Sequence, residues 1–186
     1  MKKIIYTLLI IIFTFTITSC IKEEHKYDGK LVVATNCEFP PFEYVDAKGK
    51  PTGIDIDLAK EIAEILNYEL EIKDMPFNSV ITAIETKQAN IAMAGLTISE
   101  IRKQSVDFCD PYFVANQVVI GLKNSKAIDI ENEEELIEEL KNKKIGYQVG
   151  TVGEYFVNGS EDWEFVKIDG VTPMPYTSGT SAILAP

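Results

Sequence analysis

Two short segments carry the residue pattern of an anion site. Thr97-Ile98-Ser99-Glu100 sets a Thr at a possible helix start with a Glu three residues on, and Thr151-Val152-Gly153-Glu154 repeats the arrangement. Each is a capping-box pattern. A helix start presents free N–H groups and the positive end of the helix dipole, which suit a carboxylate. Ala94-Gly95 precedes the first segment, and a glycine lets a ligand approach the backbone. Arg102 falls in the same short turn, and its planar fork matches a carboxylate better than a lysine would. Gly95, Thr97 and Arg102 therefore make a candidate carboxylate clamp. The plain alternative is two ordinary caps and a surface arginine. Phe39 and Phe77 sit in loops beside prolines, where an aromatic forms either a ligand wall or a core plug. Gly53-Ile54-Asp55-Ile56-Asp57-Leu58 reads as a helix start, with Asp55 as cap and Asp57 in the first turn.

Other chemistries are excluded by what these residues are not. The chain has no Gly-rich phosphate loop, no nucleophile elbow and no cysteine pair at metal spacing. Its single histidine, His25, lies in a polar N-terminal stretch, so neither a Ser-His-Asp triad nor a multi-His metal site is expected. No metal and no cofactor is called for. The net charge of −11 disfavours nucleic acid, whose phosphates demand basic surface. With 186 residues, 46% of them hydrophobic and 25% charged, the chain is globular.

The N-terminus reads as an export signal. Lys2 and Lys3 precede an apolar run from Ile4 to Ile17, which is shorter than the about 20 residues that a bilayer span needs. Ile17-Thr18-Ser19-Cys20 follows and resembles the lipobox of bacterial lipoproteins. Residues 1–19 are read as a lipoprotein signal peptide, Cys20 as the lipid attachment site and 20–30 as a tether. Cys37 and Cys109 remain, and the sequence leaves open whether they pair.

The elements that must position the clamp alternate. Strands are expected at 31–35, 69–73, 91–94, 106–108, 117–122, 145–148 and 165–168. Helices are expected at 55–66, 78–87, 132–140 and 151–158, with a helical turn at 99–103. Ile54, Leu58, Ile62 and Ile65 give the first helix its apolar spacing. This order implies an α/β fold with largely parallel sheets. Beyond Ile168, Pro173 and Pro175 argue against regular structure.

In order along the chain, the pieces resemble family 3 extracellular solute-binding proteins, the amino-acid receptors of ABC importers. The matching segments are Leu31-Val-Val-Ala-Thr-Asn36, Phe39-Pro-Pro-Phe-Glu43, Gly53-Ile-Asp-Ile-Asp-Leu58, Met75-Pro-Phe77, Ala94-Gly-Leu-Thr-Ile-Ser-Glu-Ile-Arg102, Val106-Asp-Phe-Cys-Asp-Pro-Tyr112 and Ile145-Gly-Tyr-Gln-Val-Gly-Thr151. The resemblance implies a type II periplasmic binding protein-like α/β fold, with two lobes closing over one free amino acid without catalysis. Lobe 1 would be 31–120 and a partial lobe 2 would be 121–186, with the first hinge crossing near Gly121–Leu122. It also implies that Arg102 meets the ligand α-carboxylate, helped by Thr97 and the Gly95 backbone. Phe39 and Phe77 would be aromatic walls, and Thr151 a cap from the opposite side. Asn36 stands where many members carry an acid, and Gln148 where some carry a lysine. Two neutral amides suggest a polar or neutral amino acid. The implied partners are an ABC permease and, through lipidated Cys20, the membrane, with the protein exported to the periplasm or the outer cell face.

The resemblance fades toward the end. Family members run further, through an aspartate that binds the ligand ammonium and a return crossing to the first lobe. Here Ser178-Gly-Thr-Ser-Ala-Ile-Leu-Ala-Pro186 resembles only the approach to that strand, and no acid follows Asp169. The expectation is a C-terminally truncated receptor, with the second lobe and the return to the first incomplete. The rival readings are a non-functional remnant and an exported dehydratase-like enzyme on the same fold.

Overall fold

A computed structural model describes residues 26–185. The segment expected to be a signal peptide (1–19), the expected lipid attachment site Cys20, the first part of the expected tether, His25 and Pro186 lie outside the described residues.

The strand β1 (Gly29–Thr35) is central to a parallel sheet, flanked by β5 (Tyr68–Asp74) and β6 (Ile91–Ala92). The β1–β5 register runs from Gly29 opposite Tyr68 to Thr35 opposite Asp74. Alternation along β1 builds two cores, one on each face. Leu31 and Val33 pack on Ala59 and Ala63 of helix α1 (Ile54–Ile65). Ala34 packs with Val80 and Ala83 of helix α2 (Val80–Glu85) and with Ala89 and Ala94. Val33 and Ile56 are almost wholly buried, which stabilises by about 2 kcal/mol each. Three short antiparallel strands, β2 (Glu38–Phe39), β3 (Glu43–Val45) and β4 (Pro51–Thr52), bridge β1 to α1. The single turn α3 (Glu100–Lys103) follows β6.

A second unit contains α4 (Glu133–Leu140), β7 (Lys144–Gln148), α5 (Val152–Asn158), β8 (Thr172–Tyr176) and α6 (Gly179–Leu184). The strands β7 and β8 pair in parallel.

The helix α1 starts on Gly53, not on Asp55. Gly53 has φ 121°, and the next two N–H groups donate to the Pro41 carbonyl at 3.1 Å and the Phe42 carbonyl at 2.9 Å. A Cβ on Gly53 would run into the Phe42 carbonyl. Gly53→Ala is therefore expected to destabilise the chain by about 2 kcal/mol or more, because both strain and collision oppose it. Urea unfolding measures this, and an unchanged midpoint would refute the account.

Several sequence expectations are corrected. Residues 106–108 and 117–122 are not strands. Their β-branched residues favour extended backbone, but among the described residues no neighbouring strand bonds them, and a strand without a partner is not a ladder. Val118, Ile120 and Leu122 stand exposed. Residues 165–168 make only an isolated bridge, Phe165 to Ser160.

The tail, expected to be irregular, forms β8 and α6. Thr172 N–H donates to the Lys143 carbonyl at 2.8 Å. In a parallel ladder the bonding N–H groups then fall on alternate residues, so Pro173 and Pro175 turn their donorless nitrogens away from β7. The helix α1 forms where expected but turns another face inward. Ile56, Ala59 and Ala63 are buried, whereas Ile65 is 81% exposed.

Candidate functional site

Arg102 anchors the cleft between the two units. Its backbone N–H donates to Ser99 Oγ at 3.3 Å, so Ser99, and not Thr97, caps α3. Its Nη1 donates to the Thr97 carbonyl at 2.7 Å, and its Nη2 donates across the cleft to the Gly150 carbonyl at 3.0 Å. The guanidinium lies between the rings of Phe77 and Trp163, 5.7 Å from each centroid. Arg102 is only 7% exposed. Burial pushes its pKa below the ordinary value, and Tyr155 opposes that shift. Among the described residues no ion pair involves Arg102. A buried cation satisfied by neutral carbonyls retains a net charge, and a fork of five N–H groups has donors to spare.

The opposite wall comes from β7 and the start of α5. Thr151 is the N-cap residue of α5, but its hydroxyl donates back to the Gln148 carbonyl at 2.7 Å. Glu154 Oε2 accepts from Gly150 N–H at 2.6 Å, one residue before the N-cap, so neither half of the expected capping box is made. Gly150, at φ 82°, lies so close to Asn78 that a Cβ would meet the Asn78 Cβ at 2.9 Å. Gln148 Nε2 reaches across to Asn36 Oδ1 at 3.0 Å and also donates to the Thr177 carbonyl at 3.2 Å. Asn36 Nδ2 in turn donates to the Met75 carbonyl at 3.1 Å. The Gln148–Asn36 and Arg102–Gly150 hydrogen bonds join the two units across the cleft.

Asn36, Phe39, Phe77, Gly95, Thr97, Arg102, Gln148 and Thr151 all line one cavity of about 160 Å³. That is well under the about 300–1,000 Å³ typical of drug-sized sites, and suits a small polar molecule. Glu43, Ala94, Gln117 and Val152 complete the wall. Phe39 stacks on Phe42, with ring centroids 5.5 Å apart, and remains half exposed. Gly95 lies beneath the Phe39 ring, and its N–H is committed to Asp55 Oδ2 at 3.2 Å.

Sequence reasoning missed a buried acidic pair. Glu43 and Asp55 are 1% and 0% exposed. Asp55 Oδ1 accepts from Tyr112 Oη at 2.8 Å. Burial, then the charge of Asp55 and a hydrogen bond with it, pushes the Glu43 carboxyl up to about 9. Burial and Asp55 likewise push the Tyr112 phenol upward. In sequence Glu43 stands out only as the last residue of the Phe39–Glu43 segment, and Asp55 reads as a helix cap. The available signal was an acid set between Phe42 and Tyr44 in a segment that must run beside the site. Cys37 is buried and Cys109 exposed, and both are free thiols. Burial, then Asp74 and Glu43, holds the Cys37 thiol up at about 12. Among the described residues no cluster of His, Cys, Asp or Glu is placed to hold a metal ion, and no helix is long and apolar enough to cross a membrane.

The model of the bacterial extracellular solute-binding proteins, family 3, matches residues 31–169. The arginine-binding extracellular protein ArtP of Bacillus subtilis is 34% identical over 157 residues, covering 83% of this chain and 58% of its own length. A probable histidine-binding protein of Neisseria gonorrhoeae is 37% identical over 142 residues, covering 75% of this chain and 51% of its own. The chain thus spans little more than half the length of these curated relatives. The solved structure of holo ArgBP from T. maritima superposes with a TM-score of 0.72 at 38% identity, over 84% of this chain and 63% of that one.

Proposed function

This chain belongs to the bacterial extracellular solute-binding proteins, family 3, and from that premise we propose that it is the amino-acid-binding receptor of an ABC importer. It captures its ligand by closure of the cleft, without covalent chemistry. The observation that carries this reading is the buried Arg102 guanidinium, positioned by two neutral carbonyls and unmatched by any acid among the described residues. A ligand α-carboxylate supplies the missing charge. Because the Gly95 N–H is committed to Asp55, the carboxylate falls to Arg102 and Thr97. Phe39 and Phe77 flank the ligand, and Thr151 closes from the second lobe. The amides of Asn36 and Gln148 favour a polar side-chain end. Residues 31–120 act as the first lobe and 121–186 as part of the second. The partner is a permease in the membrane, and the receptor is exported and tethered through a lipid on Cys20.

The sole tryptophan of the chain, Trp163, stands against Arg102, so its emission reports on the cleft. Titration of the proteinogenic amino acids is expected to give saturable heat by calorimetry and a matching change in Trp163 fluorescence for at least one of them. No heat and no emission change for any at about 1 mM, a binding free energy near −4 kcal/mol, would overturn the reading.

A further inference from the structure

Glu43 in β3 and Asp55 in the first turn of α1 are carboxyl groups buried together, and Glu43 also lines the ligand cleft. Ionised carboxylates only accept hydrogen bonds. If both were ionised, Glu43 Oε2, which is buried and which no protein donor reaches, would be left without a donor beside a like charge. One proton held between the two groups removes both penalties. Asp55 is the fixed member, because Gly95 N–H donates to it at 3.2 Å and the Tyr112 hydroxyl at 2.8 Å. Glu43 is the member that faces the ligand.

We infer that Glu43 is a proton-linked subsite for the ligand side chain: it receives an uncharged amide end with the shared proton in place, and a guanidinium or ammonium end with release of that proton. The inference rests on the receptor reading above and adds how the side-chain end is recognised. In the second case the O–H bond of the Glu43 carboxyl breaks, its proton passes to a solvent base, and the carboxylate left behind pairs with the incoming cation. The groups facing the pair are Asp55 from α1, the Cys37 thiol from the turn after β1 and the Tyr112 hydroxyl from the segment after α3. Arg102 from α3 lines the same cleft. Cys37 is held in its neutral form by burial and then by Asp74 of β5 and Glu43, and Tyr112 by burial and then by Asp55 and Glu43. Among the described residues Arg102 is the only cation lining the cleft, and its fork is directed at Thr97 and Gly150. The released proton is therefore that of Glu43. This is how a cleft whose other side-chain contacts, Asn36 and Gln148, are neutral amides can still take a cation.

The test is calorimetry on the full chain with arginine as the cationic probe and glutamine as the neutral one. Both are titrated near pH 7 in phosphate and in Tris, whose ionisation heats differ widely. The expected result is a buffer-dependent enthalpy for arginine that corresponds to about one proton released, with none for glutamine. Arginine affinity then rises close to tenfold per pH unit, the linkage slope for about one proton. Glu43→Gln is expected to abolish the buffer dependence, and the wild-type buffer comparison stands alone if that variant does not fold. Arginine binding without buffer dependence overturns the inference and leaves the receptor reading standing. Glutamine binding with none for arginine at alkaline pH also overturns it alone. Failure of every amino acid to bind overturns both.

Discussion

Replacing Arg102 with alanine is expected to weaken amino-acid binding by about 100-fold or more. Removing one partner of a buried charge pair costs about 2–5 kcal/mol, much of it the penalty on the partner left behind. In the proposed reading that partner is the ligand α-carboxylate, and the cavity Arg102 lines is about 160 Å³. The alanine variant also frees the Thr97 and Gly150 carbonyls that now accept from the guanidinium. Arg102→Lys separates the two effects. It keeps the charge but loses the planar fork, so one ammonium must serve Thr97, Gly150 and the ligand together. Its affinity is expected to lie between wild type and the alanine variant, with an unfolding midpoint closer to wild type. Calorimetry and urea unfolding on the same samples decide this. An alanine variant that binds within about threefold of wild type, under 1 kcal/mol, would remove Arg102 from the site.

The second large effect is on stability against pH. The Glu43 carboxyl sits at about 9 in the folded chain against an ordinary value of 4.5, raised by burial and by Asp55. As pH rises, the unfolded chain gives up this proton first. Between the two values the folded state therefore holds more protons, and stability falls with rising pH. The contribution is complete below about pH 4.5, where both states are protonated, and is lost by about pH 9. The slope from this one group reaches at most about 1.4 kcal/mol per pH unit. Glu43→Gln keeps the shape, offers Asp55 an amide donor and removes the titration. Its unfolding free energy is expected to be flatter between about pH 5 and about pH 8, and to exceed that of wild type at the alkaline end. Parallel pH profiles in the two proteins would show that Glu43 holds no such proton.

The parts legible in the sequence were those governed by local rules. The short apolar run Leu31–Thr35 gave β1, and the helical spacing of Ile54, Leu58, Ile62 and Ile65 gave α1. Asn132 ahead of three glutamates gave α4, whose first-turn amide at Glu135 donates to Asn132 Oδ1 at 3.0 Å. The eight residues selected for the site line one cavity; Asn36, Gln148 and Thr151 do so because they lie at a strand end or a helix start that the pattern had located. The local rules failed where a residue's partner is remote. Thr97 and Ser99 are both acceptable caps, and the backbone path into α3 selected Ser99. The segment 117–122 has the composition of a strand, and among the described residues nothing pairs with it.

The sequence alone determined the order β1, α1, β5, α2, β6, α3 in the first unit and α4, β7, α5 in the second, the family, and the presence of an arginine among residues that suit a carboxylate, because periodicity, glycine and proline act over a few residues. Tertiary structure decided which face of α1 is buried: the small side chains of Ala59 and Ala63 let the helix approach Leu31 and Val33. It decided that Pro173 and Pro175 are compatible with β8, through a register that turns both nitrogens outward. Above all it decided the chemistry of Glu43 and Asp55, twelve residues apart and unremarkable in the chain. The ionisation of Glu43 depends on burial and on Asp55 beside it, and both are set by distances that only the folded chain establishes.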